Sequence, residues 1–374
     1  MRLSATRILI AGQWHTDKML VIEKGVIAGI EPMSQHVTEH LTGDLVPGFI
    51  DVQVNGGGGL LFNAEPCLKT LKIMQQAHAR YGTTAMLPTL ITDEYTVMSA
   101  AADAVAEAMT SKLSGIVGIH FEGPFISKAR KGVHKSEFIR IPDDKELAVL
   151  TRRDLGKVVI TVAPEHFPLD ILQELTEQGV IVCLGHSAAT YEQTQAAIEA
   201  GAKGFTHLFN AMSPLTSREP GMVGAAFLQQ DTYAGLVLDH FHVHSASSQI
   251  ALKNKGVDRI MLVTDAMAHV GTDTQKLPFF DTEIKRENNR LTTPDGTLAG
   301  SCLDMTTAVR NASRSLGVTL SEAVQMASAT PAEFIGLAEQ MGKIQRGYRA
   351  NMVLLNDDCQ VQQVYIDGES VNSQ

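Results

Sequence analysis

Val180-Ile181-Val182-Cys183-Leu184-Gly185-His186-Ser187 is a near-continuous apolar run that ends on glycine, histidine and serine. Tyr191–Ala200 follows with helical spacing and stops at Gly201, where helices often end. Gly204-Phe205-Thr206-His207-Leu208 is the next apolar run, and it too carries a histidine. Short strands buried on both faces, alternating with helices, are the mark of a parallel sheet.

Working outward, the same unit recurs. Eight short apolar runs lie after Pro47: Phe49–Val54, Thr84–Leu90, Ile116–Phe121, Val158–Ala163, Val180–Leu184, Gly204–Leu208, Ala234–Leu238 and Arg259–Thr264. Leu68, Leu71, Met74, Ala77 and Tyr81 recur at helical spacing, and Ala100–Met109 and Leu169–Gln178 read as further helices. Eight such units over roughly 250 residues predict a (β/α)8 barrel. An open doubly wound sheet is the runner-up. Polar residues cluster after most of the runs, where a barrel assembles its site, and this favours the barrel. Before Pro47, Arg7–Ile10, Met19–Ile22 and Val26–Ile30 read as a small antiparallel sheet; Asn351–Leu355 and Val361–Ile366 return to strand character, with Asp367-Gly368 as a turn. The expected division is a small β-sandwich-like domain from residues 1–46 and 338–374 beside a barrel of residues 47–337.

Composition narrows the class. The chain has 374 residues, 44% hydrophobic and 19% charged, with a net charge of −10. That balance argues against nucleic acid or an anionic membrane surface as the main partner. Cys67, Cys183, Cys302 and Cys359 form no CxxC pair, which argues against a disulfide framework or a zinc knuckle. The N-terminal residues lack a signal-peptide core and no run is long enough to span a bilayer, so a cytoplasmic location is expected.

Four polar groups stand at the ends of different runs: Glu122, His186, His207 and Asp265. Two histidines and a carboxylate around an open position make a catalytic zinc pattern, which iron also suits. Singly, each has a structural alternative: Glu122 before Gly123-Pro124 can cap a turn, and Asp265 can start a helix. Together they predict a hydrolytic centre, with Asp265 as general base towards a water whose pKa the metal lowers to ~7. Gln53 and Asn55 point the same way from the first run, where two histidines would support a second metal. Amides are poorer ligands, so one metal is expected, although a pair stitching loops together is equally compatible. Gly56–Gly59 lacks a phosphate-loop continuation and reads as a flexible or close-packed loop. In Asp239-His240-Phe241-His242-Val243-His244, His242 is the candidate substrate-polarising group, with His240 and His244 solvated. Arg218 and the basic Lys128–His134 loop are candidates for phosphate or carboxylate recognition.

Pro47-Gly48-Phe49-Ile50-Asp51-Val52-Gln53-Val54-Asn55-Gly56, His120-Phe121-Glu122-Gly123-Pro124, Gly185-His186-Ser187, Thr206–Met212, Arg218–Gly221 and Val263–Ala266 occur in an order that resembles the N-acetylglucosamine-6-phosphate deacetylase family of the amidohydrolase superfamily. The resemblance covers nearly the whole chain. It implies a barrel with a terminal β domain, and one divalent metal on Glu122, His186 and His207. Zinc is the first choice, with iron, cobalt, nickel or manganese as alternatives. It implies Asp265 as base and then acid, and His242 on the acetamide carbonyl. His134, Val133, Asn210, Ala211, Arg218, Asp239, Leu298, Ala299 and Gly300 are the implied substrate contacts. Leu298–Ser301 resembles a loop that closes over substrate. The family further implies a homodimer in which Arg218 reaches the neighbouring subunit's site.

Three departures stand out: His240 replaces a common Gly, Met267-Ala268-His269-Val270-Gly271 replaces a Pro-containing segment, and Val133 replaces a common Thr. The expected reaction is hydrolysis of N-acetylglucosamine 6-phosphate to glucosamine 6-phosphate and acetate. The alternatives are the N-acetylgalactosamine epimer, another amidohydrolase substrate such as a cyclic amide, or a non-enzymatic sugar-phosphate-binding protein, which would be expected to have lost a ligand or the base.

Overall fold

Every residue of Phe49–Val54, Thr83–Ile91 and Gly118–Glu122 is buried. These runs are the first three of eight parallel strands in the computed structural model, which describes residues 1–371. Lys157–Val162, Ile181–Leu184, Gly204–Phe205, Tyr233–Leu236 and Ile260–Leu262 complete the series, each paired to its sequence neighbour. Helices occupy the connections. Leu68–Ala79 buries Leu71, Met74 and Ala77, as its spacing predicts, and Tyr191–Glu199 is fixed at its start by a Thr190–Gln193 capping box.

The sheet closes on itself, which excludes the open doubly wound alternative. Val54 bridges Ala266 in parallel, the Asp265 N–H donates to the Gln53 carbonyl at 3.0 Å, and the Asn55 N–H donates to the Ala266 carbonyl at 2.9 Å. Asp51 reinforces this seam from a fully buried position. Its carboxylate accepts the Thr264 hydroxyl, the Thr264 N–H at 3.3 Å and the Gln53 N–H at 3.2 Å. Burial pushes the Asp51 carboxyl up to about 7 from 3.8, against the opposing effect of those hydrogen bonds. The folded protein therefore holds this proton more tightly than the unfolded chain. Its contribution to stability falls as pH rises from near 4 to near 7 and is level above that. In Asp51→Asn this slope is absent, so melting temperatures of variant and parent, compared from pH 5 to 8, should move in favour of the variant as pH rises. A constant difference would show that Asp51 does not titrate in this window.

Both chain ends share one eight-stranded sheet, in which Met352–Leu355 pairs with Glu39–Pro47 and carries Val361–Ile366 and Glu369–Val371 outward. Leu3, Ile8, Leu20, Ile27 and Leu45 pack there against Met352, Leu354 and Tyr365. The three runs expected to pair antiparallel do so, Arg2–Ile10 with Lys18–Glu23 and Lys18–Glu23 with Val26–Pro32, and Arg2–Ile10 also pairs in parallel with Glu39–Pro47, a strand not read from the sequence. The chain makes the Lys18–Glu23/Val26–Pro32 hairpin first and then returns along the opposite edge of the first strand, in the same direction.

A three-stranded antiparallel sheet, Lys276–Phe279, Thr282–Glu287 and Arg290–Thr292, follows the last barrel strand. Phe279, Ile284, Leu291 and Ala299 pack with Ile91 and Met267 beside the barrel mouth. All four cysteines are free, and no described helix is long and apolar enough to cross a membrane.

Candidate metal centre and active site

Glu122 is the last residue of the third barrel strand, while His186, His207 and Asp265 follow the fifth, sixth and eighth. The backbone turns sharply at the latter three, with φ of 47°, 32° and 51°. Non-glycine residues avoid this left-handed region, at a cost of order ~1 kcal/mol or more each, and they persist there where the surrounding structure imposes it. These turns direct three side chains from separate strands to one point.

At that point Glu122 Oε1 lies 3.2 Å from His186 Nε2 and 2.9 Å from His207 Nε2, and the two nitrogens are 3.0 Å apart. All three residues are buried, and among the described residues this is the group whose ligand atoms converge, all within 4.8 Å. His186 Nδ1 donates to the Arg130 carbonyl at 2.9 Å, which leaves Nε2 a bare lone pair facing the other two acceptors. Three lone-pair donors so placed fit one divalent cation; tetrahedral bonds of about 2.0–2.1 Å would set ligand spacings of roughly 3.3 Å. Burial alone would push Glu122 up and His207 down. The contacts of the carboxylate with His186 and then His207 reverse the first shift and hold the carboxyl well below its ordinary range, and the contact with Glu122 reverses the second and raises the His207 imidazole.

The first-strand amides meet this group. Gln53 Nε2 donates to Glu122 Oε1 at 3.1 Å and to Asp265 Oδ1 at 3.2 Å, and Asn55 Nδ2 donates to the same Asp265 oxygen at 2.6 Å. Both amides thus occupy Oδ1 and leave Oδ2 to accept a proton. Burial, and then the Glu122 charge, push the Asp265 carboxyl up to about 6. Asn55→Ala should remove the shorter of the two restraints, lowering kcat about tenfold while bound metal stays constant. Parallel loss of metal and rate would place Asn55 in metal retention instead.

His242 Nδ1 lies 2.6 Å from Asp239 Oδ2, while Asp239 Oδ1 accepts the Phe241 and His242 N–H groups at 2.9 Å each. Burial raises the Asp239 carboxyl, but the His242 hydrogen bond and charge outweigh it and the net shift is downward. The contact with Asp239 fixes the orientation of the His242 ring at the cavity wall. His134 Nδ1 is 2.7 Å from Thr92 Oγ1, and the Thr92 N–H also points at it from 3.4 Å, which makes Nδ1 the acceptor and leaves the hydrogen on Nε2. Burial and then the His186 charge lower its pKa well below the ordinary histidine value.

A cavity of about 250 Å³ opens over these groups. Of the residues picked from sequence, Glu122, His186, His207, Asp265, His242, Asn55, His134, Val133, Asn210, Ala211, Leu298 and Gly300 line it. Gln53 stands behind Asp265 and Asp239 behind His242; neither is part of the wall. Ala299 is buried under the three-stranded sheet, and Arg218 is exposed away from the cavity. Ile91, Gly132, Met267 and Thr297 also line the cavity and were not singled out as site residues. Met267 belongs to a segment noted only as a departure, and Ile91 lies one residue beyond the Thr84–Leu90 run read from the sequence. His120 takes no part: its nitrogens are engaged by the Val52 carbonyl and Thr161 Oγ1, and burial lowers its pKa to about 4. His240 and His244 are exposed, as expected, and His244 accepts the Ala246 N–H at the start of Ser245–Lys255. Gly56 is close-packed: a Cβ there would fall 2.5 Å from the Leu60 carbonyl oxygen and 2.8 Å from Ala268 N.

A closed parallel barrel with a buried carboxylate–histidine cluster and a restrained second carboxylate at its mouth defines a barrel hydrolase of the metal-dependent type. The chain belongs to the amidohydrolase family, which it matches over residues 45–371. It is 53% identical, over 97% of its own length and 94% of the relative's, to an N-acetylgalactosamine-6-phosphate deacetylase of Shewanella sp. (strain ANA-3). It is 33% identical to an N-acetylglucosamine-6-phosphate deacetylase of Haemophilus influenzae, covering 94% of each chain. The crystal structure of N-acetylglucosamine-6-phosphate deacetylase from Pasteurella multocida superposes with a TM-score of 0.95 at 35% identity, covering 100% of this chain and 99% of that one.

Proposed function

We propose that this protein hydrolyses the acetamide of an N-acetylhexosamine 6-phosphate, with N-acetylgalactosamine 6-phosphate as the preferred epimer. The sequence motifs place the gluco epimer first. The observation that reverses the order is the 53% identity to a galacto-epimer deacetylase, against 33% to a gluco-epimer one.

Glu122, His186 and His207 would hold one divalent cation, and zinc suits their two imidazoles and one carboxylate. The cation supplies Lewis acidity, favouring deprotonation of a water and polarising the acyl carbonyl. Asp265 Oδ2 takes the proton of that water as its oxygen adds to the carbonyl carbon. His242, held in orientation by Asp239, polarises the acyl carbonyl from the side of the oxygen on which negative charge develops. Asp265 then returns the proton to the amide nitrogen, the C–N bond breaks, and acetate and the amino-sugar phosphate leave. His134 donates to the sugar phosphate beside Asn210 and Ala211, and Leu298 and Gly300 close the other side. Among the described residues the cavity wall contains neither lysine nor arginine, whereas a phosphate calls for one. The exposed Arg218 meets that need from a neighbouring subunit, which makes the working form a homodimer.

The test is kcat/KM for both epimers with metal-analysed protein. The galacto epimer should lead by roughly tenfold, a range that one well-placed hydroxyl contact provides. Equal values or a gluco preference overturn the epimer assignment. No acetate from either epimer overturns the reaction.

A further inference from the structure

We propose that a second cavity behind Met267 receives the tail of N-acyl groups longer than acetyl, which makes the protein a deacylase of N-propionyl to N-hexanoyl amino-sugar 6-phosphates. The proposal rests on the deacetylase reading above and extends it to a further class of substrate.

The second cavity measures about 280 Å³ and shares Asn55, Ile91 and Met267 with the first. The remainder of its wall is chiefly apolar, with Leu61, Pro278, Phe138, Phe279 and Phe280. The polar groups that belong to this cavity alone have partners: Asn63 donates to Asp93 at 2.9 Å, and the Lys135 ammonium lies 2.6 Å from Asp281; of the shared wall, Asn55 Oδ1 has none. An apolar chain suits the Leu61, Phe138, Pro278, Phe279 and Phe280 part of this wall.

The position of the shared wall selects the acyl tail. Asn55 holds Asp265 Oδ1 at 2.6 Å, so this wall flanks the proposed base, and the acyl carbon must sit within reach of that base. The sugar and phosphate belong to the polar side, with His134, Asn210 and the cavity mouth. The remaining substituent on the acyl carbon therefore faces Ile91 and Met267. Met267 is the partition. Gly300, at φ 53°, makes room for it, since a Cβ there would fall 2.6 Å from Met267 Cγ. An unbranched thioether swings aside more readily than a β-branched or aromatic side chain. The three-stranded sheet supplies Pro278 and Phe279, which gives this insertion a role in the site. The chemistry is the same for each chain length: water adds across the acyl C–N bond, carbon gains oxygen, nitrogen gains hydrogen, and a short fatty acid and the free amine leave.

The test uses N-acetyl, N-butyryl and N-hexanoyl amino-sugar 6-phosphates of the preferred epimer. Calorimetric Kd values are taken on Asp265→Asn, whose turnover is slowed about 10³-fold, and kcat/KM on the parent. Each buried methylene strengthens binding by up to ~4-fold. The hexanoyl compound should therefore bind at least several-fold more tightly than the acetyl one, and butyryl kcat/KM should stay within tenfold of acetyl. Ala64 is exposed and lines only the second cavity. Added to Asp265→Asn, Ala64→Trp should cancel the chain-length gain and leave the acetyl Kd unchanged, which is its own folding control. Binding that weakens tenfold or more with chain length, or a chain-length gain that survives Ala64→Trp, overturns the proposal. Acetyl turnover without longer-chain turnover sinks this inference alone; absent acetyl turnover sinks the reading beneath it.

Discussion

Replacing Asp265 with asparagine should lower kcat about 10³-fold while leaving one metal per chain, because proton transfer by a placed carboxylate contributes roughly 10²–10⁴-fold. The substitution conserves shape. An asparagine carbonyl oxygen in the place of Oδ1 still accepts from Asn55 and Gln53, so the seam and the metal ligands are undisturbed. The amide nitrogen then stands where Oδ2 was and cannot accept a proton from water. Stopped-time acetate assays with elemental analysis of the same sample separate the two quantities. A nearly normal rate would remove Asp265 from the proton path. Loss of metal would make it a ligand.

Glu122→Gln should give the opposite pattern, with metal content and turnover lost together. Glu122 Oε1 is the anionic corner of the cluster, and each histidine nitrogen lies within 3.2 Å of it. A neutral amide in its place removes the charge that offsets a buried cation. Lewis-acid stabilisation is worth several kcal/mol, so kcat/KM should fall at least ~10³-fold at trace metal and recover in part at high metal concentration. Full metal content with a full rate would show that the cluster is not the ligand set.

The barrel was legible because its strands are buried on both faces, which writes them as apolar runs whatever the sequence around them. Phe49–Val54 has the predicted bounds, and the other runs shift by a few residues at one or both ends. Asp367-Gly368 was readable as a two-residue turn, and both residues have the positive φ that such a turn needs. The Lys276–Thr292 sheet was not legible. Its strands are short and mostly exposed, so TEIKRE and RLT carry little apolar pattern. The parallel pairing of Arg2–Ile10 with Glu39–Pro47 was hidden for another reason, since pattern marks a strand but not its partner. At the site, residue types at strand ends identified the cluster and its candidate base. Spacing does not give tautomers or restraints. The Arg130 carbonyl that fixes His186, and the two amides that converge on one oxygen of Asp265, are visible only in three dimensions. Met267 shows the same limit. It was noted as an unusual residue after Asp265, and only the paired cavities give it a place in the site.

The central claim is that one metal on Glu122, His186 and His207, served by Asp265, hydrolyses the N-acetyl group of an amino-sugar 6-phosphate. Titrating chelator-stripped protein with zinc while measuring acetate release tests it most directly. Turnover should rise linearly and level off at one equivalent per chain, and the Glu122→Gln protein should stay flat over the same range. Full turnover in the stripped protein, a break at two equivalents, or no acetate at saturating metal would contradict it.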